Sequence, residues 1–233
     1  MAKVFLGVGH GGRDSGAVGH LIEKDVNLVE ALACRDFLQT HGVEVLMSRT
    51  SDEDDPLTDE IKECNAFSPD LAIDCHNNAG GGDGFETYYY SGGGKSKILA
   101  ENIESEVKAI GQNSRGCKTR MNSNGKDYYG FIRETKCPAV IVEGCFVDNA
   151  TDVQIADTKE KQKAFGEAYA KGILRTLGIE VKENTKQNTL QNNSNKEEKY
   201  YVQVGAYAQK ENAEKQLENA KSAGFTDAFI KQF

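Results

Sequence analysis

The chain contains no apolar run approaching the roughly 18 to 20 residues of a membrane-spanning helix, and its mean hydropathy is -0.57. A helical membrane protein is excluded. It also lacks an excess of cations, because 28 Lys and Arg stand against 36 Asp and Glu, for a formal net charge of -8. Nucleic acids and anionic membrane surfaces are bound through clustered Lys and Arg that displace counterions, so neither is an expected partner. The start, MAKVFLGVGHGG, lacks a basic n-region, a long apolar h-region and an A-x-A-like cleavage site. Without a signal peptide, the expected location is the cytoplasm of the producing cell until another agent releases the protein. No two of the six cysteines (Cys34, Cys64, Cys75, Cys117, Cys137, Cys145) form a C-x-x-C pair. They read as small buried hydrophobes in a reducing compartment rather than as a disulfide or metal framework.

What is present is a chain of 233 residues, enough for one well-cored domain and a small appendage. Strand and helix patterns alternate. KVFLGV (3–8), VEVLM (43–47), DLAIDC (70–75), GFETYYY (84–90) and AVIVEG (139–144) read as strands. Between them lie helical patterns over 23–40, from Thr58 or Asp59 to 67, over 95–110, and in one or two pieces over 148–177. In the first of these the apolar positions 26, 29, 33 and 37 form the expected core stripe. The fold class is α/β, with a mostly parallel central sheet flanked by helices. Residues 112–130 carry turn formers without an apolar period and are expected to form a long surface loop beside the site. Arg115, Lys118, Arg120, Tyr128 and Tyr129 in that stretch are candidates for holding a ligand, or else a solvated surface.

Composition changes after residue 180. KENTKQNTLQNNSNKEEK (182–199) is rich in Asn, Gln, Lys and Glu and reads as a flexible linker. Beyond it, YYVQVGAY alternates like a strand, ENAEKQLENAKSAG is helical, and DAFIKQF is a second strand. The expected organisation is a catalytic domain at 1–179, a linker at 180–198 and a small β-α-β module at 199–233. One such unit is too small to bury a core alone.

Gly7, Gly9 and Gly12 spell G-x-G-x-x-G directly after the first strand, the spacing of a dinucleotide-binding turn. That turn requires a helix starting at the third glycine, so that its N–H groups face a pyrophosphate. Here RDSGAVGH follows, helical periodicity begins only near Glu23, and the second strand ends on Ser48 and Arg49 rather than on an acidic residue. The nucleotide reading fails, and the glycines are better explained as letting the backbone curl under His10.

Ligands of open parallel sheets bind at the carboxyl ends of strands. Three strands here finish on His10, His76 and Glu143, and Glu23 opens the first long helix. Two imidazoles and a carboxylate with a fourth position open form a catalytic zinc arrangement, in which water is activated at neutral pH. A second carboxylate can then shuttle a proton. Spacing alone leaves alternatives: a strand-end histidine is also an ordinary hydrogen-bonded loop residue, and Glu23 a first-turn carboxylate facing the helix dipole. Glu143 beside Ile141 and Val142 is harder to set aside, since a buried carboxylate must be paired, metal-bound or catalytic.

GHGGRDSGAVG, EKDVNL, the Arg of MSRTSD, ECNAFSPDLAIDCHNNA, GFETYYY and CPAVIVEGCFVDNATD follow one another in order across residues 3–177. In this the chain resembles the zinc-dependent N-acetylmuramoyl-L-alanine amidases of the Amidase_3 type. The resemblance implies that His10, Glu23 and His76 are zinc ligands and that Glu143 is the catalytic carboxylate. It implies hydrolysis of the amide between the muramic lactyl group and L-alanine of peptidoglycan. Two positions depart from the family pattern: Asp74-Cys75-His76-Asn77-Asn78 stands where Ser-Ile-His-Ala-Asn is common, and Glu60 where an Arg is usual. By strand alternation Asp74 shares a face with His76, as its hydrogen-bond partner or as a solvated strand end.

The tail resembles a SPOR module through Tyr201-Val202-Gln203-Val204-Gly205-Ala206-Tyr207, which implies binding to glycan strands stripped of stem peptides. That module usually has two β-α-β halves and one is present, so a truncated module or a homodimer completing a four-stranded sheet is expected. Pairing is favoured because an unpaired half would expose Tyr201, Tyr207 and Phe229. The expected role is that of a phage endolysin acting at the cell wall after release. The alternatives are a bacterial autolysin of the same chemistry, in sporulation or division, and a zinc peptidase cutting within the stem peptide. A wall-binding protein with a degenerate site is disfavoured because all four implied residues are present.

Overall fold

The first strand, β1 (Lys3–Val8), is buried from Val4 onward, as befits a strand covered on both faces. A computed structural model of the chain describes residues 1–182, 209–222 and 230. After β1 come α1 (Glu23–Thr40), β2 (Glu44–Met47), α2 (Leu57–Phe67), β3 (Leu71–Asn78), β4 (Phe85–Tyr89) and α3 (Lys95–Ala109). They are followed by β5 (Ser114–Lys118), α4 (Gly130–Glu134), β6 (Ala139–Phe146), a 3-10 turn at Asp152–Ile155 and α5 (Lys159–Leu177). The six strands form one sheet in the order β2-β1-β3-β6-β4-β5. β1, β2, β3 and β6 run parallel, β4 is antiparallel to β6, and β5 is parallel to β4. The mostly parallel α/β sheet flanked by helices is therefore present, with its last two strands reversed.

Helices cover both faces. Core residues of α1, α3 and α5, among them Leu38, Ile103 and Phe165, pack on Leu6, Ile73 and Val142 of one face. On the other, Ile61 and Cys64 of α2 and Phe131 and Ile132 of α4 pack on Phe5, Ala72 and Ile141. α5 begins with the Thr158 side chain accepting from Lys161 N and ends at Gly178, whose left-handed backbone (φ 71°) closes the last turn.

Four details differ from the sequence reading. The buried side of α1 is Glu23, Val26, Asn27, Glu30, Ala31, Cys34 and Leu38, rather than the stripe at 26, 29, 33 and 37. Three of its members are polar, so apolar periodicity alone sets the wrong phase. β3 and β6 run longer than expected, to Asn78 and Phe146, which places His76 inside β3 rather than just past its end, while Glu143 lies inside β6 as the 139–144 reading has it. Within 112–130 lies an edge strand, β5, whose SRGCK sequence lacks an apolar alternation because none of its five residues is buried on either face. Finally, Cys34, Cys64, Cys75 and Cys145 are buried as expected, but Cys117 and Cys137 are only partly so; all six are free thiols.

Met1–Lys182 forms one compact unit. In the second unit the structure describes a helix, α6 (Lys210–Ser222), close to the helical expectation. The strands expected on either side of it lie outside the described residues. Among the described residues no helix is long and apolar enough to cross a membrane.

Candidate active site

The chain leaves β1 for β2 on one side and later returns to β3 on the other, so a crevice opens at the carboxyl ends of β1 and β3. His10 stands there with φ 63°, one of two non-glycine residues in the left-handed region among those described. That conformation is strained for a histidine and is characteristic of a functional position. The turn is held from below by Arg49, which is 2% exposed. Arg49 donates from Nε to Val8 O at 3.0 Å and from Nη2 to Lys24 O at 2.8 Å, and Asn27 Nδ2 donates to Gly9 O at 3.0 Å. The loop glycines leave space as well as turning. A Cβ on Gly9 would lie 2.2 Å from the His76 ring, and one on Gly16 2.5 Å from His10 and 2.6 Å from Glu23.

His10, Glu23 and His76 offer donor atoms that all lie within 4.8 Å of one another. His10 Nε2 is 3.3 Å and His76 Nδ1 2.9 Å from the same oxygen, Glu23 Oε1. The far nitrogen of each ring faces a carboxylate: His10 Nδ1 lies 2.9 Å from Asp14 Oδ2, and His76 Nε2 lies 3.2 Å from Asp74 Oδ2. Such outer partners fix the ring tautomer and leave the inner nitrogen as a lone-pair donor. Two lone pairs and a carboxylate oxygen cannot converge bare, so either protons or a cation must lie between them. Donors around a tetrahedral zinc sit roughly 3.3 Å apart, close to the 3.3 and 2.9 Å that separate Glu23 Oε1 from the two ring nitrogens. Glu23 is anchored further by Ala17 N on Oε2 at 2.8 Å and Asn77 N on Oε1 at 3.2 Å.

Without a metal, charge is balanced by protons. The Glu23 hydrogen bond is the main cause that raises His10 above the usual imidazole value, with burial opposing it. Burial acts to lower His76, but Asp74 and Glu23 overcome it and hold it well above that value. Burial likewise acts to raise Glu23, and the two imidazoles outweigh it, keeping its carboxyl far below the ordinary carboxylate range.

Glu143 lies in register with His76 on β3 and with Glu86 on β4. Burial chiefly, with the charges of Glu23, Glu86 and Asp74 adding and His76 opposing, pushes its carboxyl up to about 7. Among the described residues it accepts no side-chain hydrogen bond, so it is free to exchange a proton. Beneath His76, Glu60 is 4% exposed and packs under Gly7, whose absent Cβ makes room for both Glu60 and Asp74. Burial first, then Asp74 and Asp55, raise Glu60 well above the carboxylate range. Glu60 Oε1 and Asp74 Oδ1 are both buried without a donor.

All four residues singled out in the sequence therefore meet at one rim. Three supporting residues carry no obvious sequence signal. Asp14 is recognisable only as the carboxylate four residues after His10. Asn77 donates to Asn27 Oδ1 at 2.9 Å and Glu30 Oε2 at 3.3 Å, and Glu30 also accepts from Tyr169 OH at 3.3 Å. These buried partners come from distant elements and become visible only once α1, β3 and α5 are packed.

A convergent His-Glu-His donor set on the rim of an α/β sheet, beside a carboxyl able to carry a proton near neutrality, is an arrangement suited to metal-assisted hydrolysis. Residues 4–175 match the family described as N-acetylmuramoyl-L-alanine amidase, a zinc-dependent family, and the chain belongs to it. Residues 196–232 match the SPOR domain. Among relatives, the N-acetylmuramoyl-L-alanine amidase CwlM of Bacillus licheniformis is 34% identical over 99% of this chain and 85% of its own length. The endolysin of Bacillus phage SPP1 is 34% identical over 78% of this chain and 69% of its own. The catalytic domain of CwlV, an amidase of Bacillus (Paenibacillus) polymyxa var. colistinus, superposes with a TM-score of 0.70 at 29% identity, covering 77% of this chain and all of that domain. The chain is an N-acetylmuramoyl-L-alanine amidase, a cell-wall hydrolase.

Proposed function

We propose that His10, Glu23 and His76 hold one zinc ion, that Glu143 is the catalytic carboxylate, and that the reaction is cleavage of the muramic acid–L-alanine amide of peptidoglycan. The observation that carries this reading is the convergence of two imidazole nitrogens on Glu23 Oε1, with Glu143 in register one strand away. Bound in that donor set, zinc supplies Lewis acidity toward the scissile carbonyl and lowers the pKa of water to about 7. Asp14 and Asp74 hold the rings in the tautomers that leave the inner nitrogens free. Glu143 takes the proton of the attacking water on its carboxylate and returns it to the departing alanine nitrogen. Digestion of purified cell walls tests the assignment. New N-terminal alanine is expected while peptide cross-links persist; new termini from within the stem peptide would identify a peptidase instead.

The same reading assigns 1–179 to catalysis, 180–198 to a linker and 199–233 to binding of glycan strands. Two half-modules pair, making the protein a homodimer. Sedimentation of the full chain is expected to give a dimer; a monomer with a folded tail would remove the idea. The protein acts at the cell wall after release, as a phage endolysin, a role supported by its similarity to the SPP1 enzyme. Alignment with CwlM through nearly the whole chain favours the second reading, a bacterial autolysin with the same chemistry.

A further inference from the structure

The row of polar side chains on the sheet continues past Glu143. Glu86, opposite it on β4, is 5% exposed. Its carboxylate accepts from four donors. Asn78 Nδ2 at 3.0 Å and Tyr88 OH at 2.9 Å reach Oε1, while Arg115 Nε at 2.8 Å and Lys118 Nζ reach Oε2. One buried carboxylate requires one counter-charge, and this one has two, so the cluster carries a net charge of +1. Both cations face outward, with Arg115 41% and Lys118 33% exposed. Among the described residues neither makes another hydrogen bond. Arg115 engages only Nε and lies 5.1 Å from the Phe146 ring, leaving its two Nη groups, the fork that grips carboxylates, free.

The charge of the substrate decides what such a cluster can meet. N-acetylated sugars are neutral, and the muramic lactyl carboxyl is consumed in the amide to be cut. A negative charge must therefore come from the peptide. Neighbouring strands lie about 4.8 Å apart, so β5 is roughly 10 Å from β6, and the two cationic heads, reaching back to Glu86 on β4, stand between one and two strand spacings from it. A span of about 5–10 Å is covered by roughly two to three residues of extended peptide at about 3.3–3.6 Å each.

We propose that Arg115 and Lys118, set in place by Glu86, receive a free carboxylate of the stem peptide within the first two or three residues beyond the scissile amide. The proposal rests on the amidase reading, because the peptide must start at Glu143. It makes the enzyme selective for stem peptides whose second residue is a free acid over those bearing a carboxamide there.

Two soluble muramoyl peptides that differ only in that group test it. Full chain carrying Glu143→Gln, titrated with each, is expected to bind the acid about 10-fold or more tightly, an advantage that shrinks with added salt. In the otherwise unchanged enzyme, Lys118→Met is expected to raise KM for the acid several-fold, leave KM for the carboxamide unchanged and alter kcat little. It leaves Glu86 paired with Arg115, so the fold is retained, and Lys118→Arg should restore the preference. Equal binding of the two peptides, or an undiminished preference in Lys118→Met, would overturn the proposal. Selective binding without cleavage of either peptide would uphold the carboxylate receptor and fault the amidase reading instead.

Discussion

Replacement of Glu143 by glutamine is expected to lower kcat by about 10²–10⁴-fold, the usual contribution of a positioned general acid–base, while the bound-metal content stays at that of the unsubstituted protein. The substitution keeps shape and removes only the ability to take and return a proton. Glu143 is not among the three converging donors, so metal content separates its role from theirs. A carboxyl acting as base must be ionised, so activity should rise with pH along an acid limb. Burial places that limb at about 7, and beside a dication it falls to lower pH because the charge favours the ionised form. Loss of this limb in Glu143→Gln is the second readout. If kcat stays within threefold of the unsubstituted enzyme, another group carries the proton.

Chelation is expected to abolish activity, and zinc to restore it. The same treatment should lower thermal stability, since an ion that binds only the folded chain stabilises it by about 2.7 kcal/mol at 100 times its Kd. For a domain of this size that corresponds to roughly 5–11 °C in Tm. His10 and His76 both have raised proton affinities in the absence of metal, so protons and metal compete for the same lone pairs. The sign follows directly: a group with a raised folded pKa keeps its proton until pH climbs through that value. Metal affinity should therefore increase with pH through the acidic range and go on increasing past the ordinary imidazole value of about 6.5, levelling off only above the raised values. A stability and activity indifferent to chelator would remove the ion from the assignment.

The three converging donors and Glu143 are legible because each lies beside a local signal: His10 in a glycine turn, Glu23 at a helix start, His76 and Glu143 on apolar strands. What joins them was legible only from the order of several motifs together. Residues whose role depends on long-range register stayed hidden. Asn77 and Glu30 read as a polar strand residue and a helix glutamate, yet they meet beneath the site because α1 crosses β3. The same is true of β5, where Ser114-Arg115-Gly116-Cys117-Lys118 has no alternation to read, since none of its residues is buried. Reversal of β4 against β6 is likewise a property of the finished sheet. Local pattern cannot tell a returning strand from a crossing one.

That reversal has a consequence for how the enzyme can be altered. The proposed ligands stand in the turn after β1, at the start of α1 and on β3, in the parallel half of the sheet, whereas Arg115 and Lys118 stand on the terminal strand of the reversed half. Because β5 pairs with β4 alone, its sequence can be exchanged while only one register is preserved. The strand is a natural graft point for retargeting, where new side chains would change which walls are attacked without disturbing the machinery that attacks them.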